Sequence, residues 1–99
     1  MPVLSFVSAS VPTDRRGEVV RPYTEAVAGE LGPGVRQTFL LVGEDDTMAI
    51  ATVWDSREVL DAYIASVDEP LARRLLREAG GAPEVRFFDI EVEARSGAR

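Results

Sequence analysis

The sequence predicts an α+β fold of order βαββαβ, a four-stranded antiparallel sheet with its helices on one face. Three observations carry that reading. Segments rich in β-branched residues, largely alternating, occur at Val3–Val11, Val35–Val42, Met48–Trp54 and Val85–Ala94, the signature of extended chain. Apolar residues recur at helical spacing in the two long intervals between them. The one short connection, Gly43-Glu44-Asp45-Asp46-Thr47, has turn composition and makes the second and third segments an antiparallel hairpin.

In the first strand Val3, Val7, Ala9 and Val11 share one side, Leu4 and Phe6 the other, and Pro12 closes it. Thr13 or Asp14 is placed to cap a helix carrying Val19, Val20, Tyr23, Val27 and Leu31 on one stripe. Pro22 lies inside that stripe and removes one intrahelical bond, so a kink or two short helices meeting there is expected. Gly32-Pro33-Gly34 ends it. After the hairpin, Asp55-Ser56 supplies an N-cap for a helix with Val59, Leu60, Tyr63, Ile64 and Val67. Pro70 starts another, with Leu71, Leu75, Leu76 and Ala79, stopped by Gly80-Gly81. In the last strand Phe88, Ile90, Val92 and Ala94 share one face, and Asp89, Glu91 and Glu93 the other. The tail from Arg95 reads as frayed.

This is the split βαβ, or ferredoxin-like, order, and right-handed crossovers put the helices together on one face. All of 1–99 reads as a single domain. The other face of the sheet is apolar too. Val35, Phe39 and Leu41 point one way on the second strand and Leu40 and Val42 the other. Ala49, Ala51 and Val53 likewise oppose Met48, Ile50 and Trp54 on the third. An antiparallel sheet covered on one side should alternate polar and apolar, and an uncovered apolar face this large is unusual on a monomer. A two-fold homodimer, sheet face to sheet face, is the expected remedy.

Composition bounds the chemistry. The chain has no histidine, cysteine, lysine or asparagine, which removes the usual general base, the thiolate nucleophile, the Schiff-base amine and nearly all nitrogen or sulfur metal ligation. No cofactor and no metal are expected. A net charge of −6 argues against nucleic acid and against an anionic membrane. No apolar run is long enough to span a bilayer, no signal peptide is visible, and the absence of cysteine excludes a disulfide framework. A cytoplasmic protein is the expectation.

The run Met48-Ala49-Ile50-Ala51-Thr52-Val53-Trp54-Asp55-Ser56-Arg57-Glu58-Val59-Leu60-Asp61-Ala62-Tyr63 resembles the strand–Trp–cap–helix segment of the antibiotic biosynthesis monooxygenase-like family, in the dimeric α+β barrel superfamily. The element order, the glycine-terminated first helix and the closing run Val85-Arg86-Phe87-Phe88-Asp89-Ile90 fit that family over most of the chain. The resemblance implies a dimeric α+β barrel. It also implies oxidation of aromatic polyketides, or cleavage of haem, without a conventional flavin or a dedicated metal centre. It carries over one residue, Trp54. The family's oxygenases commonly pair such a Trp with an asparagine and its haem-degrading branch adds a ligating histidine; this chain has neither.

The candidate site follows from those residues. Trp54 is either a core aromatic whose indole N–H finds an acceptor or a wall on which a planar ligand stacks while the substrate itself reduces oxygen. Tyr23 and Tyr63 lie on the apolar helix stripes, their hydroxyls placed at a core rim or against a phenol or quinone oxygen. Thr52 and Phe39 complete the expected substrate-binding set. Arg86, read as core-facing beside Phe88, either pairs with Glu84 or stabilises an anionic oxygen as a fixed cation. Arg73, Arg74 and Arg77 are accounted for by ion pairs with Glu69 and Glu78. The row Asp89, Glu91 and Glu93, formally a hard-cation site, reads as a solvated edge. Ser5, Ser8 and Ser10 have no base to activate them. The expected partner beyond a second copy is a small aromatic molecule. Two rival functions remain: ligand binding without chemistry, as in a stress-associated dimer, and a cofactor-free isomerase or cyclase using a carboxylate or tyrosine.

Overall fold

The computed structural model describes residues 1–96. Its elements are β1 (Val3–Ser10), α1 (Gly17–Val27), β2 (Val35–Val42), β3 (Thr47–Trp54), α2 (Arg57–Ser66), α3 (Leu71–Glu78) and β4 (Glu84–Asp89). The sheet order is β2-β3-β1-β4, with every neighbouring pair antiparallel. α1 packs on α3, α3 on β1 and α2 on β3, the arrangement expected of the βαββαβ order.

β1 shows the alternation plainly: Val3, Ser5, Val7 and Ala9 are buried, Leu4, Phe6 and Ser8 only partly. The expected Thr13 or Asp14 cap is not made. A single 3-10 turn spans Thr13–Arg15, and the Thr13 hydroxyl instead donates to Asp46 Oδ1 at 2.8 Å. α1 runs unbroken through Pro22 and stops at Val27, short of Leu31. The expected division into two short helices at Pro22 does not occur.

The hairpin turn is left-handed at both central residues, Asp45 (φ 56°) and Asp46 (φ 63°). This is the type I′ geometry that matches the twist of paired strands, and Asp tolerates it better than most residues. Thr47 N–H donates to the Glu44 carbonyl at 3.0 Å to close it. Ser56 caps α2 as expected, its hydroxyl accepting from Val59 N–H at 3.2 Å. α3 ends in a Schellman arrangement: Gly81 N–H donates to the Leu76 carbonyl at 2.9 Å and Gly80 N–H to that of Arg77 at 3.0 Å.

Three expectations about the strands change. β2 carries a bulge: Val35 lies opposite Trp54 but Gln37 opposite Val53, leaving Arg36 as the extra residue. The inserted residue reverses the alternation, so Val35 joins Thr38 and Leu40 on the helix side while Phe39 and Leu41 face away. β4 ends at Asp89, not Ala94. Its partner β1 begins at Val3, and after Ile90 N–H donates to the Pro2 carbonyl at 3.0 Å little chain remains to pair with. β4 also presents its faces the other way round. Arg86 lies opposite Phe6 and Phe88 opposite Leu4, so both belong to the open face, while Val85 and Phe87 point toward the helices.

The core has two parts. One gathers Val7, Val11, Val19, Met48, Ile50, Leu75 and Leu76; the other Val3, Trp54 and Leu60, flanked by Val35, Val59, Tyr63 and Ile64. Ion pairs lie at the surface. Glu69 holds Arg77 through two hydrogen bonds of 2.8 and 2.9 Å and Arg73 at 3.5 Å. The expected Arg74–Glu78 pair does not form among the described residues; the Glu78 carbonyl accepts from Arg15.

Hydrogen bonding to Arg77 holds the Glu69 carboxyl below the usual carboxylate range, and Arg15 does the same for Glu18. A carboxyl whose value is lowered on folding adds stability above its unfolded value of about 4.3. That contribution is lost as pH falls through the folded value. The thermal midpoint is therefore expected to decline on the acid side of that range, and to do so less steeply in Glu69→Gln, with each exposed pair contributing little. Melting curves across acid pH check this.

Candidate functional site

Between the two parts of the core lies a cavity of about 540 Å³, walled by residues of both and by the latter half of α1. This is within the range of small-molecule sites, roughly 300–1,000 Å³. Its rim is built by Gly34, whose φ of +78° and close approach to the Val59 side chain both require glycine. The Gly34 carbonyl accepts from Asp55 N–H at 2.8 Å, which ties the loop to the start of α2. Among the described residues, none that lines the cavity is charged.

Trp54 closes the inner end. It is 6% exposed, and its indole N–H donates to Ser5 Oγ at 3.0 Å. The indole is thus a core aromatic whose N–H has found an acceptor, and its ring also lines the cavity. The N–H is committed to Ser5, so what the indole offers the cavity is ring surface. Ser5, in accepting, keeps its own proton for a second partner.

The Tyr63 ring stands 5.2 Å from that of Trp54 at 34°, within the range of favourable aromatic pairs. Its hydroxyl accepts from Leu71 N–H at 3.0 Å, a first-turn amide of α3 with no helical partner of its own. Tyr63→Phe is expected to leave that amide unsatisfied and cost about 1–2 kcal/mol, measurable as a lower denaturant midpoint.

A line of hydroxyls crosses the cavity wall. Tyr23 donates to Thr38 Oγ1 at 3.0 Å, and Thr38 Oγ1 lies 3.0 Å from Thr52 Oγ1. The line carries polarity into an otherwise apolar space.

The structure thus brings together Trp54, Tyr23, Tyr63 and Thr52 and leaves out Phe39 and Arg86. Phe39 is turned to the open face by the Arg36 bulge. Arg86, also on that face, is well exposed and 3.9 Å from Glu84, the surface partner foreseen for it. Ser5 and Thr38 were missed. A serine standing at a core-facing position between Val3 and Val7 was the available signal for Ser5. For Thr38 the bulge hid the parity. Of the acidic row Asp89, Glu91 and Glu93 only Asp89 lies in β4, and among the described residues no three carboxylates converge.

Comparison with known proteins separates sequence from fold. No family model matches the chain, and no curated protein matches it. Solved structures do. A Deinococcus radiodurans protein described as a candidate antibiotic biosynthesis monooxygenase superposes with a TM-score of 0.68 at 12% identity, over 97% of this chain and 99% of that one. SnoaB, a cofactor-independent oxygenase from Streptomyces nogalater, gives 0.65 at 15% identity over 93% and 95%.

The chain has the antibiotic biosynthesis monooxygenase fold. A heme-degrading protein from Mycobacterium tuberculosis shares it, with a TM-score of 0.67 at 21% identity over 96% of this chain and 100% of that one. On this version of the fold the cavity does not suit haem. Iron ligation draws on His, Cys, Met or phenolate; among the described residues the cavity wall holds no His, Cys or Met, the Tyr63 hydroxyl is engaged with Leu71 and the Tyr23 hydroxyl with Thr38. The propionates would find no cation in the lining. Among the described residues no helix is long and apolar enough to cross a membrane.

Proposed function

We propose that the protein is a homodimer that binds a small, neutral, planar aromatic or polyketide-like molecule and oxidises it with molecular oxygen, without a bound cofactor. The observation that carries the reading is the uncharged cavity walled by the Trp54 and Tyr63 rings. A ligand there meets apolar and aromatic surface with hydroxyls at fixed points, the recognition suited to fused rings bearing carbonyl or phenol oxygens. Such substrates carry their own reducing electrons. In an anthrone, the methylene carbon gives up two hydrogens, one atom of O₂ becomes the new carbonyl oxygen and the other leaves as water. The protein's part is to position the ring and exclude solvent.

The open sheet face supports the dimer. Phe39, Leu41 and Phe88 are 40%, 42% and 47% exposed, beside partly covered Leu4 and Phe6, an apolar surface that a second copy would bury. The lining's lack of an acid or base favours a second reading, binding without turnover.

The test is a titration with anthrones, hydroxyquinones and flavonoids, following Trp54 emission with inner-filter correction, beside an oxygen electrode. Saturable quenching with one O₂ consumed per anthrone is the expected result. Quenching without oxygen uptake leaves binding alone, product formed without oxygen indicates an isomerase, and emission indifferent to every compound overturns the site. Sedimentation is expected to give twice the 10.8 kDa chain mass, returning to one chain in Phe39→Glu.

A further inference from the structure

Two hollows share a wall. The cavity, itself partly open, and a shallower groove along β2 share Tyr23, Val27, Leu31 and Thr38 in their walls. Their chemistry differs. Among the described residues the cavity lining is uncharged, whereas the groove carries Thr24, Arg36 and Gln37 and reaches Phe39 at the border of the open sheet face. Tyr23 reaches from α1 to β2 between them, held at its tip by the hydrogen bond to Thr38 at 3.0 Å. One such bond contributes about 1 kcal/mol net, a weak latch.

The segment bearing the latch is lightly anchored. Val19 is the only buried residue of α1, four positions before Tyr23, and Val20 and Leu31 are 41% and 39% exposed. Few buried contacts mean low local stability. Tyr23 is only partly buried where its ring packs against the larger half of the core.

We infer that Tyr23 is the specificity-determining residue of this site, a partition that sets the length of ligand the cavity accepts. This rests on reading the cavity as an aromatic-ligand site. With Tyr23 latched, the space ends at the Tyr23–Thr38 pair and suits compact ring systems. With Tyr23 swung out, cavity and groove join along β2 into one channel. An elongated fused-ring ligand would then lie with its apolar end against Trp54 and an oxygen-rich end at Gln37 and Arg36. Arg36 bonds Asp55 at 2.7 Å and Glu93 at 3.2 Å, through two of the five N–H donors of a guanidinium, which leaves others for a ligand oxygen.

The test compares two probes on three proteins. 1,8-Dihydroxyanthraquinone is the compact probe and a linear tetracyclic hydroxyquinone the long one. Equilibrium dialysis is run on the wild type, Tyr23→Ala and Tyr23→Phe, each first shown to be folded by circular dichroism. The wild type is expected to prefer the compact probe, and Tyr23→Ala to shift the affinity ratio toward the long probe by about tenfold. Tyr23→Phe, which keeps the ring and loses the latch, is expected to fall between. Binding of both probes at an unchanged ratio in Tyr23→Ala overturns the partition and leaves the binding site standing. Failure of all three folded proteins to bind either probe overturns the site and the partition with it.

Discussion

Gly81→Val is expected to remove a large part of the protein's stability, on the order of 3 kcal/mol or more. A Cβ at Gly81 would stand 2.7 Å from the Ala9 Cβ, 3.0 Å from the Leu76 carbonyl oxygen and 3.1 Å from that of Ser10. The two carbonyl oxygens are backbone atoms of elements that cannot retreat. The Leu76 carbonyl is held by the Gly81 amide itself, and Ser10 closes the strand next to the wholly buried Val11. Inserting branched carbon there must part α3 from β1, the contact that seats the larger half of the core. A domain of this size has about 5–15 kcal/mol in hand, and the loss should lower the melting midpoint on the order of 15 °C. Gly29→Ala is the control: nothing lies within 4 Å of a Cβ there, and its effect should be within about 1 kcal/mol of zero. Two similar melting curves would mean that α3 does not approach β1 as closely as described.

The contrast between these glycines also shows what the sequence can convey. Gly80-Gly81 is legible as a helix stop because the Schellman geometry has a local signature. That the second glycine is also the packing contact depends on β1, some seventy residues away in sequence, and has no local sign. The same division runs through the fold. The first three strands, the hairpin and the Ser56 cap are periodic or local, and they stand where the pattern puts them, whereas β4 stops at Asp89, five residues short of the apolar pattern. The Arg36 bulge is neither. A single unpaired residue in an apolar strand leaves composition unchanged yet exchanges the faces of everything after Val35, which is why Phe39 was assigned to the cavity and Thr38 was not. Arg86 failed for a related reason. Phe87 and Phe88 make both faces of β4 apolar, so alternation cannot say which one the helices cover; only the pairing with Phe6 and Leu4 decides it. The two tyrosines and Trp54 were recoverable because each sits on a stripe whose direction is fixed by its own element.

Trp54 is where stability and ligand binding must be separated, and two substitutions do so. Trp54→Ala is expected to cost about 3–5 kcal/mol, since it deletes a ring that packs on Val3, Leu60 and Tyr63 and leaves the inner end of the cavity open. Ligand affinity should fall about tenfold or more with it, because aromatic contact contributes about 0.5–1.5 kcal/mol beyond buried area. Trp54→Phe keeps an aromatic wall facing Tyr63 but withdraws the indole N–H from Ser5. The expected penalty is about 1–2 kcal/mol for a buried hydroxyl deprived of its donor, with affinity retained within about threefold, roughly 0.6 kcal/mol. Both variants lack the fluorophore, so binding is read from the visible absorbance of a bound hydroxyquinone and stability from urea unfolding by circular dichroism. The order of the two readouts is the decisive quantity. If Trp54→Phe loses stability but keeps affinity, the indole N–H serves the fold and the ring face serves the ligand. If Trp54→Phe loses as much affinity as Trp54→Ala, the ligand depends on how Ser5 is held. The free Ser5 proton would then be the contact that orients the substrate oxygen, with the ring behind it acting as support.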